Sequence, residues 1–389
     1  MTPAIPAARY GERLAHARSA ARAAGLDALL NGVGADLRYL AGYAAVPLER
    51  LTLLVVPAAG QAPPTLVAPR LEATPARSCP AATAGAIEVA TWEETEDPMQ
   101  LVAARLTDAL GQPAEALGAV AVSDGLRAAF VLGLQRVLSD ARFSLASAVL
   151  RSLRMRKDAE EIELLRLATH AADRVIAQVA AGALVGRTET DVAREVVERL
   201  VAEGHEHAEF SIVASGPNSA SPHHHPGDRI IRAGEPIVFD IGGTLGGYGS
   251  DITRMVWVTG GDPGLGPDED FLRLYEVLHD AQSEATGAAR PGVPCERIDA
   301  VARGIIAAAG YGDRFIHRTG HGIGLEGHEE PYLVAGSPEP LAPGIAFSVE
   351  PGIYLEGRYG ARIEDIVVCG DSGPDVLNQA PRDLLVVPG

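Results

Sequence analysis

Cysteine is scarce in this sequence. Its 389 residues include three, Cys79, Cys295 and Cys369. They are widely separated, odd in number and never spaced as CxxC, which argues against a disulfide framework and for buried free thiols in a reducing compartment. Positive charge is also short: 33 Lys and Arg face 51 Asp and Glu, a formal charge of −18. Nucleic acid and anionic membrane both call for a basic footprint, so neither is expected as a partner. No window holds the roughly 18 apolar residues that a membrane span needs. Arg9 and Arg13 lie near the start, but no apolar run follows them as it would in a secretory signal. The expectation is a soluble, cytoplasmic protein. Nucleophile signatures are missing too. There is no Gly-x-Ser-x-Gly elbow, and no cysteine stands beside a histidine in the chain. The run from His328 to Pro331 is not HExxH, because proline breaks a helix and no second histidine follows at that spacing.

What is present is ordinary globular material, 47% apolar and 22% charged, in a length that suggests two domains with sizeable cores. Residues 8–24 place Tyr10, Leu14, Ala17 and Ala21 on one helical face, and Gly25 ends the helix. Short strands are expected at 28–30, 51–56, 65–68 and 120–122, with helical patterns around 98–110 and 126–138. This alternation reads as a small α/β domain over residues 1–155. It gathers no cluster of His, Cys or acidic residues, so its expected part is substrate access and oligomerisation.

Asp158 followed by Glu161 has the form of a capping box opening a long helix. From there residues 156–389 read as a second, α+β domain. A helix at 188–203 stops at Gly204. The period then changes to a strand at 210–214 and a turn-rich loop, 215–228, that holds His223, His224 and His225. Strand-like runs carry Asp240 and Asp251, helices follow at about 268–288 and 294–309, and a last polar stretch runs from His317 to Glu364. Of the three consecutive histidines, His224 and His225 read as ordinary exposed residues. The literal GxGxxG from Gly322 to Gly327 lacks the βαβ setting of a dinucleotide site.

The acidic residues of this domain come in pairs with glycine turns between them. Asp240 and Asp251 are centred between Leu245 and Gly246, and Glu350 and Glu364 are centred on Gly357. Each pair is therefore expected to lie directly across a hairpin, with Cβ atoms about 4.5–5.5 Å apart. Like charges that close are destabilising, and burial would raise one of their pKa values. A single acidic residue in a strand is ordinarily an edge or turn residue. Two pairs in apolar strands, with His321 between Gly320 and Gly322, call for a compensating cation instead. Four carboxylates and a histidine suit two divalent ions, and the flanking glycines allow close approach.

These residues resemble the pita-bread dinuclear metallopeptidases, in the branch of prolidases and Xaa-Pro aminopeptidases. The resemblance spans the second domain. It is carried by Ser215 to Asn218 with His223, by Asp240, by Ser250 to Arg254, by His317 to Leu325, by His328 and Glu329, by Ser348 to Tyr354, and by Arg362 to Asp365. It implies a creatinase/aminopeptidase-like pita-bread domain behind a smaller α/β domain of the creatinase/prolidase type. It also implies two divalent ions (Mn, Co or Zn) on Asp240, Asp251, His321, Glu350 and Glu364, with Asp251 and Glu364 bridging them and a hydroxide between them as nucleophile. Glu350 would carry the proton to the leaving nitrogen, while His223 and His328 would contact the scissile carbonyl. Arg362 would orient a ligand carboxylate, and His317 and Tyr354 would lie near the substrate. The reaction implied is hydrolysis of the Xaa-Pro imide bond in a proline-containing dipeptide or short peptide, by a homodimer. A dipeptidase needs a cation for the free substrate carboxylate, and Arg50, just before a strand, is the candidate clamp. An aminopeptidase would leave that side open. A methionine aminopeptidase would not need the first 150 residues, creatinase works without metal, and an inactive pita-bread interaction protein would be expected to have lost ligands.

Overall fold

The apolar runs of the first 155 residues become buried strands. In the computed structural model, which describes residues 4–389, Ala28–Gly32, Leu53–Pro57, Thr65–Pro69 and Ala119–Val122 are buried at every position. They form the middle of a six-stranded mixed sheet ordered Glu88–Trp92, Thr65–Pro69, Leu53–Pro57, Ala28–Gly32, Ala119–Val122, Arg142–Leu145. Leu30, Leu53, Val55 and Val67 pack beneath Val102 and Leu106 of the Pro98–Leu110 helix and Leu134 of the Ala128–Val137 helix. The two outer strands have no counterpart among the expected ones. Arg142–Leu145 is exposed at three of four positions, so burial leaves no apolar signature there for a sequence to show. These elements make one compact unit, Ala4–Arg154, and residues 155–389 make another.

The second unit opens as its capping box requires. The Glu161 N–H donates to Asp158 Oδ1 at 2.9 Å, the Asp158 N–H donates to Glu161 Oε2 at 2.9 Å, and the Ala159–Ala180 helix follows. With the Glu189–Ala202 helix it covers one face of a sheet whose main strands run Leu385–Val387, Ile252–Val258, Glu235–Leu245, His207–Ser215. Because side chains alternate across a strand, Ile237, Phe239 and Ile241 enter that helix-backed core and Asp240 is left on the other face. A second sheet runs Glu329–Leu333, Gly320–Gly322, Ala346–Val349, Asp365–Cys369, Pro374–Val376. Phe347, Val349 and Val367 of that sheet share a core with Phe271, Leu274 and Leu278 of the Glu269–Ala288 helix. Among the described residues no helix is long and apolar enough to cross a membrane.

The two hairpins differ in register. Asp240 lies opposite Thr253, not Asp251, and the ladder continues through Ile241 with Ile252 and Leu245 with Tyr248. The turn is centred between Gly246 and Gly247, both at positive φ, one residue later than the spacing of the acids suggests. Asp240 and Asp251 are therefore diagonal neighbours on one face and not a directly opposed pair. In the second hairpin, Val349 pairs with Asp365 and Gly352 with Arg362. Those pairs bracket Glu350 and Glu364 in the register centred on Gly357.

Removing the cap side chain should be felt mainly by this second unit. Asp158→Ala is expected to lower its stability by about 1 kcal/mol, measured as a lower urea midpoint for the unfolding of residues 155–389.

Candidate metal centre

Between the bracketing pairs of the second hairpin, both strands turn their backbones elsewhere. The Glu350 N–H donates to Thr319 O at 2.8 Å, and the Glu364 N–H donates to Thr253 O at 3.2 Å. The second contact is a bridge between the hairpins, and it brings Glu364 beside the strand pair that carries Asp240. The Thr253 hydroxyl donates to Glu364 Oε2 at 2.8 Å and accepts from Arg362 Nε at 3.0 Å. Arg362 also pairs with Asp240 Oδ2 and donates to the Tyr354 hydroxyl at 2.8 Å. Arg254, 1% exposed, holds the other side of the joint, donating to the Glu364 carbonyl and to Asp365 Oδ1, each at 2.6 Å.

His321 enters on its own short strand. A Cβ on Gly320 would lie 1.9 Å from Ser348 O, and one on Gly322 2.2 Å from Glu330 O. Only glycine lets the flanking strands come this close. The His321 N–H donates to Ser348 Oγ at 3.0 Å, and Nδ1 lies 3.1 Å from Gly322 O. With Nδ1 so engaged, Nε2 faces Glu350 Oε1 at 3.2 Å and Asp251 Oδ2 at 3.6 Å. The second glycine of the GxG run has its own reason. A Cβ on Gly324 would lie 2.6 Å from Glu329 Oε1, which is ion-paired to Lys157 at 2.7 Å with both side chains buried. The motif makes room for a buried ion pair and not for a dinucleotide.

The assembled cluster is short of donors. Asp240, Asp251 and Glu364 have oxygens within 4.8 Å of one another, as do His321, Glu350 and Glu364, and Asp251, His321 and His328. Asp240 Oδ1 and Glu364 Oε1 are buried with no hydrogen-bond partner. Burial, then the neighbouring carboxylates, push Asp251 and Glu364 well above the usual carboxylate range. Burial also raises Asp240, against the pull of Arg362. Glu350 goes the other way. Burial opposes its charge, but His321 overcomes it and, with His317 and Arg362, takes it down to about 2. Correspondingly, Glu350 and Asp251 raise His321 against its own burial. Orphaned carboxylate oxygens among like charges are a donor set that divalent cations satisfy.

A cavity of about 510 Å³ opens on this cluster. His223, His317, His328 and Arg318 line it beside the acids, and Phe210, Ile212 and Pro222 give it an apolar wall. The His328 ring lies 3.9 Å from that of His321, centroid to centroid. Burial, then His321 and Arg318, bring His328 down to about 4, so its imidazole is neutral near pH 7. His317 Nε2 is 2.9 Å from the Tyr354 hydroxyl. Burial holds His317 below its ordinary value and pushes Tyr354 up to about 12. Ten of the eleven residues singled out from the sequence thus gather in the 155–389 unit. Arg50 lies in the other unit, where Nε donates to Glu94 at 2.6 Å and Nη1 pairs with Glu49. Thr253 and the Lys157–Glu329 pair escaped the sequence reading, since neither lies at a recognisable spacing from its partners. His224 is not the ordinary exposed residue expected: its Nε2 lies 2.7 Å from the fully buried Glu189 carboxylate.

A buried nest of acids around one histidine, opening on a cavity lined by further imidazoles, has the ligand chemistry that a metal-dependent hydrolase uses. Comparison with known proteins agrees. Residues 163–371 match metallopeptidase family M24, and residues 13–156 match the creatinase/prolidase N-terminal domain. The probable dipeptidase PepE of Mycobacterium tuberculosis is 48% identical over 380 residues, 97% of each chain. A Xaa-Pro dipeptidase of Lactobacillus helveticus is 34% identical over 90% of this chain and 92% of that one. The crystal structure of dipeptidase PepE from Mycobacterium ulcerans superposes with a TM-score of 0.90 at 46% identity over the whole of both chains. The chain belongs to metallopeptidase family M24 and is a peptidase, with a pita-bread domain behind a creatinase/prolidase-type domain.

The raised carboxylates give the metal-free protein a definite pH response. Above the ordinary carboxylate pKa near 4, Asp251 and Glu364 bind more protons folded than unfolded. The stability this represents is present at low pH and is lost as pH rises through their raised folded values. Metal-free wild type is therefore expected to lose more in Tm between pH 5 and pH 8 than Asp251→Asn or Glu364→Gln, which lack one such group. The lowered histidines act in the opposite sense but are common to all three proteins. Equal pH slopes in differential scanning calorimetry would contradict the charge arrangement described.

Proposed function

We propose that this peptidase hydrolyses the imide bond of Xaa-Pro dipeptides, with Asp240, Asp251, His321, Glu350 and Glu364 holding two divalent ions. The observation that carries the reading is the donor-poor acid cluster with two orphaned oxygens at the floor of a cavity with one apolar wall. Asp251, Glu364 and His321 each belong to two of the three overlapping ligand groups, and of these only the two carboxylates have two oxygens to share between ions, since His321 Nδ1 is engaged with Gly322 O. When bound, such ions lower the pKa of a coordinated water and polarise the scissile carbonyl.

The chain's own groups account for the rest. Glu350, ionised even against burial, takes a proton from the attacking water and returns it to the leaving nitrogen. Neutral His328 donates an N–H group to the carbonyl oxygen as charge develops on it, and His223 contacts the same oxygen. Arg362 fixes Asp240 in place. Tyr354, kept protonated by burial and held by Arg362 and His317, keeps a phenolic proton beside the site. The Phe210, Ile212 and Pro222 wall suits a pyrrolidine ring, which has no N–H to satisfy. The relative named Xaa-Pro dipeptidase, matched over most of both chains, supports the proline preference. Arg50 remains the proposed partner of the substrate's free carboxylate.

Substitution separates ligands from groups that act on the substrate. Asp251→Ala or Glu364→Ala should abolish both metal uptake and turnover. His328→Ala should keep the metal and lower kcat by about 100- to 1000-fold; metal loss there would make His328 a ligand. Metal content by mass spectrometry, beside kinetics, decides both.

After dialysis against Mn, Co and Zn in turn, a Xaa-Pro dipeptide should be cleaved in preference to a Xaa-Pro-Xaa tripeptide. Preference for the tripeptide would make the protein an aminopeptidase. Arg50→Ala should raise KM for the dipeptide, and an unchanged KM would remove Arg50 from the site.

A further inference from the structure

The loop that carries His223 is organised around one carboxylate that lies outside the cavity. Glu189, at the first turn of the Glu189–Ala202 helix, is fully buried. It receives four separate parts of the loop. Ser215 donates to Oε1 from its N–H at 2.8 Å and from its hydroxyl at 2.7 Å. Asn218 Nδ2 lies 3.0 Å from Oε1 and 3.1 Å from Oε2. His224 Nε2 reaches Oε2 at 2.7 Å, and the Gly227 N–H reaches it at 3.4 Å. Residues 215, 218, 224 and 227 are thus gathered on one group. A carboxylate can accept about four hydrogen bonds, so this one is fully used.

A carboxylate this deeply buried is tolerated because it is fully hydrogen-bonded, and those bonds fix the loop at four points. What it brackets is residue 223. On the far side of His223, the Pro222 carbonyl accepts from Arg362 Nη2 at 3.3 Å, and Arg362 is the guanidinium paired with Asp240. His223 is therefore flanked by one neighbour tied to the acid cluster and another tied to Glu189, while its own ring lines the cavity. Placement by two adjacent anchors is how a side chain on a turn acquires a fixed position.

We propose that Glu189 is a positioning residue for the reaction: by holding His224 it fixes where the His223 ring stands over the scissile carbonyl. The inference rests on the reading above that His223 acts on the substrate. Glu189 itself touches no reacting atom.

The test is a double-mutant cycle on Xaa-Pro dipeptide hydrolysis, with metal content measured alongside. Glu189→Gln should lower kcat by about 100-fold, the order of loss that follows from misplacing a catalytic group, with metal content unchanged. In a His223→Ala background the same change should cost less than about threefold, since a group that acts through His223 has nothing left to position. A merely structural role would give independent losses that multiply. His224→Ala should reproduce the defect, and His224→Gln, which keeps an N–H donor for the carboxylate, should restore most of the rate. If His223→Ala turns over like wild type, the role given to His223 fails and the proposal with it. If His223→Ala is slow but Glu189→Gln multiplies that loss, the proposal alone fails. Should Glu189→Gln not fold, the His224 pair decides: wild-type kcat in His224→Ala overturns the proposal, and a slow His224→Ala rescued by His224→Gln supports it.

Discussion

The site depends on the joint between Thr253 and Glu364. It is a single backbone bridge between two hairpins from different sheets, reinforced by the threonine hydroxyl. It sets Asp240 and Asp251 on one sheet against Glu350 and Glu364 on the other, across a shared core. Two arginines clamp it from opposite sides. Arg254 takes backbone carbonyls and Asp365, and Arg362 takes Thr253, Tyr354 and Asp240. Both guanidiniums are buried, where an unpaired charge is costly and a fully hydrogen-bonded one is tolerated. Their planar donor sets suit the task, since each must bind several acceptors in fixed directions at once.

The joint holds together groups that repel. Three buried carboxylates lie within 4.8 Å of each other and in the metal-free protein carry raised pKa values. Function and stability pull apart here: any neutral substitution in the cluster relieves repulsion and removes one of the proposed ligands. Histidine 321 is placed to resolve part of this conflict, since its Nε2 lies near Asp251 and Glu350. The glycines around it are a steric requirement of the same arrangement, because the strands on either side approach to distances that leave no room for Cβ.

Much of the fold was readable in the sequence because the cores follow simple periods. The long helices and the central strands stand within a few residues of where periodicity puts them, and the Asp158–Glu161 box is formed. What escaped were the edge strands Glu88–Trp92, half-buried along most of its length, and Arg142–Leu145, which is exposed at three of its four positions. The acid pairs show the limit of local arithmetic. Gly357 lies at the centre of the second hairpin's register, but Gly246 and Gly247 shift the first by two positions across the strands. Glu189 and Lys157 were invisible for another reason. Their partners are distant in sequence, and nothing near either residue marks a buried carboxylate or ammonium.

The order of the ligands along the chain has a kinetic consequence. Glu364 is the last of the five proposed ligands, and the bridge that places it joins residues 111 positions apart. Contacts of such separation form late, because the closure of the intervening chain precedes any reward from them. The first hairpin can pair alone, yet its two acids complete no ligand group by themselves. With the five residues proposed above as ligands, metal capture would come at the end of folding, as a step that locks a structure already built and not as a nucleus around which it assembles.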